Sequence, residues 1–284
     1  MDLPQKVVQE IVERALREDI GHGDLTSLAL VPVEARGEAL FVLREPGVVA
    51  GLSVIAAVFA AIDPALELLP RAVEGQAVEA GAVIAAVRGP MRGILGGERV
   101  ALNLLQRMCG VATLTARYVE AVRGTRARIL DTRKTTPGLR ALEKYAVRAG
   151  GGTNHRFGLF DAVMIKDNHL ASLARQGHGV AEAVRRARAV VGPMVRIEIE
   201  VESVGAAVEA AEAGADVIML DNMPPALLRE AVAAVGGRSL LEASGGITLE
   251  TIRAVAESGV DYISVGALTH SARALDIGLD IREQ

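Results

Sequence analysis

The chain has 284 residues, 31 basic and 35 acidic side chains, a net charge of −4, hydrophobic residues at half its positions and a single cysteine, Cys109. That length supports one large domain or two ordinary ones with a core that needs no covalent staple. One cysteine excludes an internal disulfide and cysteine-rich zinc or iron–sulfur sites, and the acidic balance argues against a nucleic-acid binder.

The N-terminal MDLPQKVVQEIVER reads as an amphipathic helix start without the basic and apolar regions of a signal peptide. Lys6 to Asp19 has helical spacing, Arg36 to Arg44 reads as a strand, Leu52 to Ala61 as a buried helix and Val73 to Arg88 as turn-rich strands. The longest apolar run, Val48 to Ile62, is too short for a membrane span and stops at Asp63-Pro64. The expectation is a cytoplasmic protein with no membrane or nucleic-acid partner. Gly96-Gly97 precedes a long helix expected over Glu98 to Arg123, with Val100, Leu104, Leu105 and Met108 on one face.

From Arg126 onward the pattern is regular. Six short apolar runs, Ala127 to Asp131, Ala162 to Lys166, Arg196 to Val201, Asp216 to Asp221, Leu240 to Ser244 and Tyr262 to Gly266, alternate with helical segments. Such alternation implies parallel strands joined by right-handed crossovers. A complete barrel has eight such units, so six point to an incomplete barrel or an open doubly wound sheet. The charged and small residues closing the strands favour the barrel, where strand carboxyl ends converge on one mouth.

Residues 131–170 carry seven basic against four acidic side chains, a local +3 that suits a small anionic ligand. Three of the chain's four lysines stand among these, and two of them, Lys134 and Lys166, bear on chemistry, because Lys is a compact charge that can lose its proton and Arg is not. Lys144 is set aside, since its helical neighbours suggest a solvated face. Gly150-Gly151-Gly152 leads into His155 and Arg156, an arrangement suited to an anion clamp. Glu198, Glu200 and Glu202 alternate along one strand and share a face; Glu200 is best placed for chemistry and Glu198 reads as a buried partner of an Arg or Lys. Asp221 closes the next strand and either meets Glu200 to hold Mg²⁺ or caps the helix near Pro224-Pro225. Ser244-Gly245-Gly246 and the loop at Gly266 follow strands and open helices, as phosphate sites do. Arg99 alone reads as a solvated arginine, and His22, His178 and Cys109 belong to no constellation.

The segments DTRKTTPGLR, GGGTNHRFGLFDAVMIKDNH and EASGGI, with Glu18 to Thr26 upstream and Ser264 to His270 downstream, together resemble the quinolinate phosphoribosyltransferase family. The resemblance implies an α/β sandwich N-terminal domain (1–110, joined by 271–284) and an incomplete six-stranded parallel α/β barrel (111–270). It implies transfer of the phosphoribosyl group of phosphoribosyl pyrophosphate to quinolinate with loss of CO₂, in NAD biosynthesis. Arg133, His155, Arg156 and Lys166 would bind the pyridine carboxylates. Lys134, Glu200, Asp221, Ser244, Gly245, Gly246, Gly266 and His270 would surround phosphoribosyl pyrophosphate, with Glu200 and Asp221 on Mg²⁺, and Thr132 would also bind substrate. Lys134, Lys166, Glu200 and Asp221 would carry the chemistry. The resemblance further implies a homodimer, or a larger assembly built on it, in which Arg99 reaches the neighbouring subunit's site. The alternatives are a same-fold paralogue, acting on nicotinate or associated with molybdenum, and a non-catalytic ligand-binding protein.

Overall fold

The computed structural model describes residues 3–282. Its first elements are α1 (Gln5–Asp19), α2 (Leu25–Leu30), β1 (Arg36–Leu43), β2 (Gly47–Val48), α3 (Leu52–Ile62), β3 (Glu67–Pro70), β4 (Ala77–Val78), β5 (Val83–Pro90) and α4 (Met91–Ala121). Then come β6 (Arg128–Leu130), α5 (Arg140–Ala149), β7 (Val163–Ile165), α6 (Asp167–Ala174), α7 (Val180–Val190), β8 (Ile197–Val201) and α8 (Val204–Glu212). The last are β9 (Val217–Asp221), α9 (Pro225–Val235), β10 (Leu240–Ser244), α10 (Ile252–Ala256), β11 (Tyr262–Ser264), α11 (Ala267–His270) and β12 (Ile277–Arg282). They fall into two compact units, one built from the chain up to Ala116, Lys134–Gly151 and the segment from Ala267 on, the other from Arg117–Arg133 and Gly152–Gly266.

The first unit holds an antiparallel sheet in the order β12-β1-β5-β3. β1 is buried at every position except Arg36, so both its faces are covered. Phe41 meets Phe59 of α3 edge-on at 6.0 Å, while Leu40 and Val42 on the other face pack with Ala86, Leu69 and Val83. The chain's last strand, β12, pairs with β1 from Glu38↔Arg282 to Leu43↔Ile277. The expected long helix starts seven residues earlier than its glycines suggest and runs through them. A Cβ at Gly97 would come within 2.7 Å of Ile62 and 2.9 Å of Phe59, so glycine here lets α4 lie close against α3. Val100, Leu104, Leu105 and Met108 are all buried, as their spacing predicts.

The second unit is built on a six-stranded parallel sheet in the order β6-β11-β10-β9-β8-β7. Each of the six runs expected from the sequence supplies one strand. Beyond the outer edge of β6, Thr153 bridges to Leu130 in parallel. Parallel register puts Glu198, Glu200, Asp221, Glu242, Ser244 and Ser264 on one face, because paired residues and their i+2 neighbours share a side. The opposite face of β8 carries Ile197, Ile199 and Val201, all buried. Among the described residues no helix is long and apolar enough to cross a membrane.

Candidate active site

The polar face of the parallel sheet centres on His155. Asp131, buried just after β6, accepts the Asn154 side-chain amide at 2.6 Å and the His155 backbone N–H at 2.8 Å. These two bonds pin the segment after the three glycines to the end of β6. The His155 ring then lies with Nε2 2.8 Å from Glu198 Oε2 and 3.7 Å from Glu242 Oε2. Glu198 is buried as the sequence suggests; it sits against this histidine, and its charge also acts on Arg156. Glu242 is 1% exposed, and burial, then the charge of Glu198, pushes its carboxyl pKa up to about 8 against the pull of His155. Ser264 adjoins Glu242 and favours its charged form. The three ligand atoms of His155, Glu198 and Glu242 lie within 4.8 Å of one another. A 2.8 Å separation is that of a hydrogen bond, however, and two donors each ~2.1 Å from one zinc ion in tetrahedral array stand ~3.4 Å apart.

The cations flank this cluster. Arg156 donates Nη1 to the Ala162 carbonyl at 3.0 Å. Burial and then the neighbouring charge of Arg133 draw its pKa down, opposed by Glu198 and Asp161. Two guanidiniums close enough to feel each other are stabilised by an anion between them. Lys166 ends β7, and its Nζ lies 3.2 Å from Glu200 Oε2 on the adjacent strand, with side chains 46% and 13% exposed. A pair with one exposed partner contributes at most ~1 kcal/mol, so a substrate carboxylate can compete for Lys166.

Asp221 lies on the same face as Glu200, one strand over and one side-chain step nearer the carboxyl ends. It accepts Asn222 Nδ2 at 2.6 Å and does not cap the following helix, whose N-cap is Pro224. Asn222 has φ 53°, the only non-glycine positive φ among the described residues, and its N–H donates to Ser244 O at 2.9 Å. A left-handed non-glycine residue costs of order 1–3 kcal/mol and clusters at functional sites. Gly245 and Gly246 follow with φ 96° and 58°. A Cβ at Gly245 would sit 2.2 Å from Asn222 Oδ1, so only glycine fits beside that strained turn. The loop does not open directly into a helix as expected: α10 begins at Ile252. Gly266 does precede α11, which is a single turn. The oxygen-only pair Glu200 and Asp221, presented at strand ends, fits a hard cation such as Mg²⁺.

Of the remaining expected residues, Arg99, Lys134 and His270 belong to the first unit. Arg99 is exposed on α4, and Lys134 is exposed with its carbonyl accepting from Thr269 Oγ1 at 2.7 Å. His270 is exposed at the end of α11, its Nδ1 2.6 Å from Ser271 Oγ. Thr132 and Arg133 are half-buried in the second unit. Lys144 is buried, 4% exposed, which corrects the expectation of a solvated face. The sequence reading passed over Asp131, Asn154, Asn222 and Glu242 as site residues. Glu242 had a usable signal, since the alternation in LLEAS places it on the face of Ser244.

The family model for the quinolinate phosphoribosyl transferase N-terminal domain matches residues 24–109, and that for the C-terminal domain matches residues 111–280. The chain belongs to the quinolinate phosphoribosyl transferase family. Among its relatives, a probable carboxylating nicotinate-nucleotide pyrophosphorylase of Bacillus subtilis is 46% identical over 274 residues, 96% of this chain and 93% of that protein. The carboxylating nicotinate-nucleotide pyrophosphorylase of Mycobacterium leprae is 44% identical, covering 96% of each. The crystal structure of NadC from Streptococcus pyogenes matches with TM-score 0.94 at 41% identity over all of both chains. Human nicotinic acid phosphoribosyltransferase, 15% identical with TM-score 0.58 over 97% of this chain and 74% of that one, shares the fold alone.

Proposed function

We infer that the chain catalyses phosphoribosyl transfer from phosphoribosyl pyrophosphate to quinolinate with decarboxylation, giving nicotinate mononucleotide, pyrophosphate and CO₂. The observation that carries this is family membership over both domains together with a site chemistry that fits it: Arg133 and Arg156 within each other's field, on a sheet face of carboxylates and glycine turns. A dense cation set suits a dicarboxylate better than a monocarboxylate, which weighs against the nicotinate-using paralogue.

In the reaction the quinolinate nitrogen forms a bond to ribose C1 as the C1–O bond to pyrophosphate breaks. Positive charge develops on the ribose and negative charge on the leaving group, and fixed charges aimed at these stabilise the transition state. We assign Glu200 and Asp221 to the ribose side and Lys134, which follows Arg133 in the chain, to the departing pyrophosphate. Mg²⁺ held by Glu200 and Asp221 would supply charge neutralisation for pyrophosphate. The product pyridinium then takes up the electron pair as the adjacent carboxylate leaves as CO₂, and a proton replaces it on the ring carbon. Arg133, Arg156 and Lys166 are assigned to the carboxylates, and Thr132, Ser244, Gly245, Gly246, Gly266 and His270 to phosphoribosyl pyrophosphate. We assign Arg99 to the neighbouring subunit's site in a homodimer in the cytoplasm.

With Mg²⁺ and phosphoribosyl pyrophosphate, the purified protein is expected to release CO₂ from carboxyl-labelled quinolinate; turnover of nicotinate in place of quinolinate would sink the assignment. The shared site is tested by mixing equal amounts of Arg99→Ala and Lys134→Ala proteins, each nearly inactive alone. Random twofold pairing restores one intact site in every mixed dimer, about a quarter of wild-type activity. No recovery after exchange would count against a site built from two chains.

A further inference from the structure

β9 ends at Asp221 and α9 begins at Pro225, so residues 222–224 turn the chain just beyond the carboxyl end of the strand. Sixteen glycines among the described residues have positive φ, and Asn222 is the one residue with a side chain that does. Glycine adopts left-handed backbone at no steric cost, so a turn that needs only this backbone shape is served by glycine. Asn222 is exposed, so burial does not offset the strain either. What the side chain adds is a set of contacts. Its Nδ2 donates to Asp221 Oδ2 at 2.6 Å, which fixes the plane of that carboxylate and the direction in which Oδ1 is offered. Its amide oxygen lies over Gly245, where a Cβ would collide with it. Its backbone N–H donates to Ser244 O at 2.9 Å, one step beyond the last β9–β10 pair, Asp221 with Ser244. Asn222 thus joins the carboxylate at the end of β9 to the glycine turn at the end of β10.

We propose that Asn222 is a positioning residue for phosphoribosyl pyrophosphate: it holds the Asp221 carboxylate and the Ser244-Gly245 turn at one fixed spacing, so that both meet the same ligand already aligned. This role rests on the assignment of Asp221 and Gly245 to that ligand made above. Asparagine suits the place because it tolerates left-handed backbone and carries both a donor for the carboxylate and an oxygen that sits over a glycine. Glycine at 222 would keep the backbone and lose the amide. Aspartate would keep shape and backbone but set a second carboxylate against Asp221. Fixing binding groups in advance lowers the ordering cost of association, so the loss in either variant should fall on phosphoribosyl pyrophosphate and spare quinolinate.

The test compares the wild type with Asn222→Gly and Asn222→Asp. Calorimetric titration with phosphoribosyl pyrophosphate and Mg²⁺ in the presence of phthalate, which has the two adjacent carboxylates of quinolinate and no ring nitrogen to attack, reads binding without turnover. Both variants are expected to bind at least about tenfold more weakly, the scale of one hydrogen bond to a charged group. Their KM for quinolinate should stay within about twofold of wild type. Asn222→Gly is relieved of the left-handed Cβ and should melt close to wild type, so its weakened binding would not be a loss of folding. Wild-type affinity in Asn222→Gly would show that only the backbone shape matters and would overturn the proposal, as would equal losses toward both substrates. If one variant fails to fold, the other decides. A cycle with Gly245→Ala reads the contact itself: the penalty of that Cβ on phosphoribosyl pyrophosphate binding should shrink in the Asn222→Gly background, whereas multiplied penalties would mean that the two residues act separately. A wild type that binds phosphoribosyl pyrophosphate but does not turn over quinolinate would refute the reaction assigned above and leave the binding comparison standing. A wild type that binds no phosphoribosyl pyrophosphate would overturn both.

Discussion

Glu242 shows how one buried side chain ties stability to pH. Its native pKa of about 8 lies above the ordinary 4.5, so the native state binds this proton more tightly than the unfolded chain does. Its contribution is therefore fully present below pH 4.5 and is lost as pH rises toward 8, with a slope of at most about 1.4 kcal/mol per pH unit for one proton. Glutamine keeps the shape of the protonated acid and cannot ionise. Thermal melts should show Glu242→Gln gaining on wild type steadily between those two pH values; a difference independent of pH would refute the assignment. Cys109 tests burial in another way. Desolvation pushes its thiol pKa up to about 12, and its sulfur is bonded to both the N–H and the carbonyl of Ala50. Because the thiolate is the reactive form, a thiol reagent should leave Cys109 unmodified in the native protein and label it fully after unfolding. Rapid native labelling would show that α4 opens locally.

At the level of elements, the six parallel strands were legible because each is a short apolar run closed by a polar or small residue, and period 2 settles which residues share a face. Period 2 does not say what crosses from another segment. It placed Glu198 inward correctly but could not supply His155, which arrives through bonds between Asp131 and the loop at Asn154. Gly96-Gly97 misled for a related reason: glycine reads as a helix breaker until the close packing that requires it is known. Gly245 and Gly246 are the sharper case, since both have positive φ yet differ in surroundings. A Cβ at Gly245 meets Asn222 Oδ1 at 2.2 Å and its N at 3.0 Å, whereas one at Gly246 meets nothing within 4 Å. Gly245→Ala should cost about 1–3 kcal/mol in strain and raise KM for phosphoribosyl pyrophosphate at least tenfold while changing that for quinolinate little. Gly246→Asn, with a residue that tolerates left-handed backbone, should stay within a few-fold of wild type. Equal effects of the two changes would remove the argument from the Asn222 turn.

Across the whole molecule, the first unit collects three distant stretches of chain, and one buried ion pair explains their union. Glu143 of α5 is fully buried and accepts Arg107 Nε at 2.9 Å and Nη2 at 2.7 Å, together with the N–H and hydroxyl of Thr136 at 3.0 and 2.7 Å. Arg107 in turn donates Nη1 to Ala272 O at 2.6 Å and Nη2 to Thr269 O. One guanidinium thus binds α4, the Lys134–Gly151 stretch and the C-terminal segment in a single hydrogen-bonded set. In the sequence Glu143 was only one of four acids in a basic stretch, because nothing local marks a carboxylate whose partner lies 36 residues away. Removing one member of a buried pair strands the other charge, at a cost of about 3–5 kcal/mol. Glu45 and Arg273 form another pair of the first unit, but Arg273 is 73% exposed, where a pair contributes at most about 1 kcal/mol. Denaturant unfolding should accordingly separate the two sites widely, Glu143→Ala losing several-fold more stability than Glu45→Ala. Similar losses would mean that the three stretches are held by apolar packing and that Arg107 is replaceable.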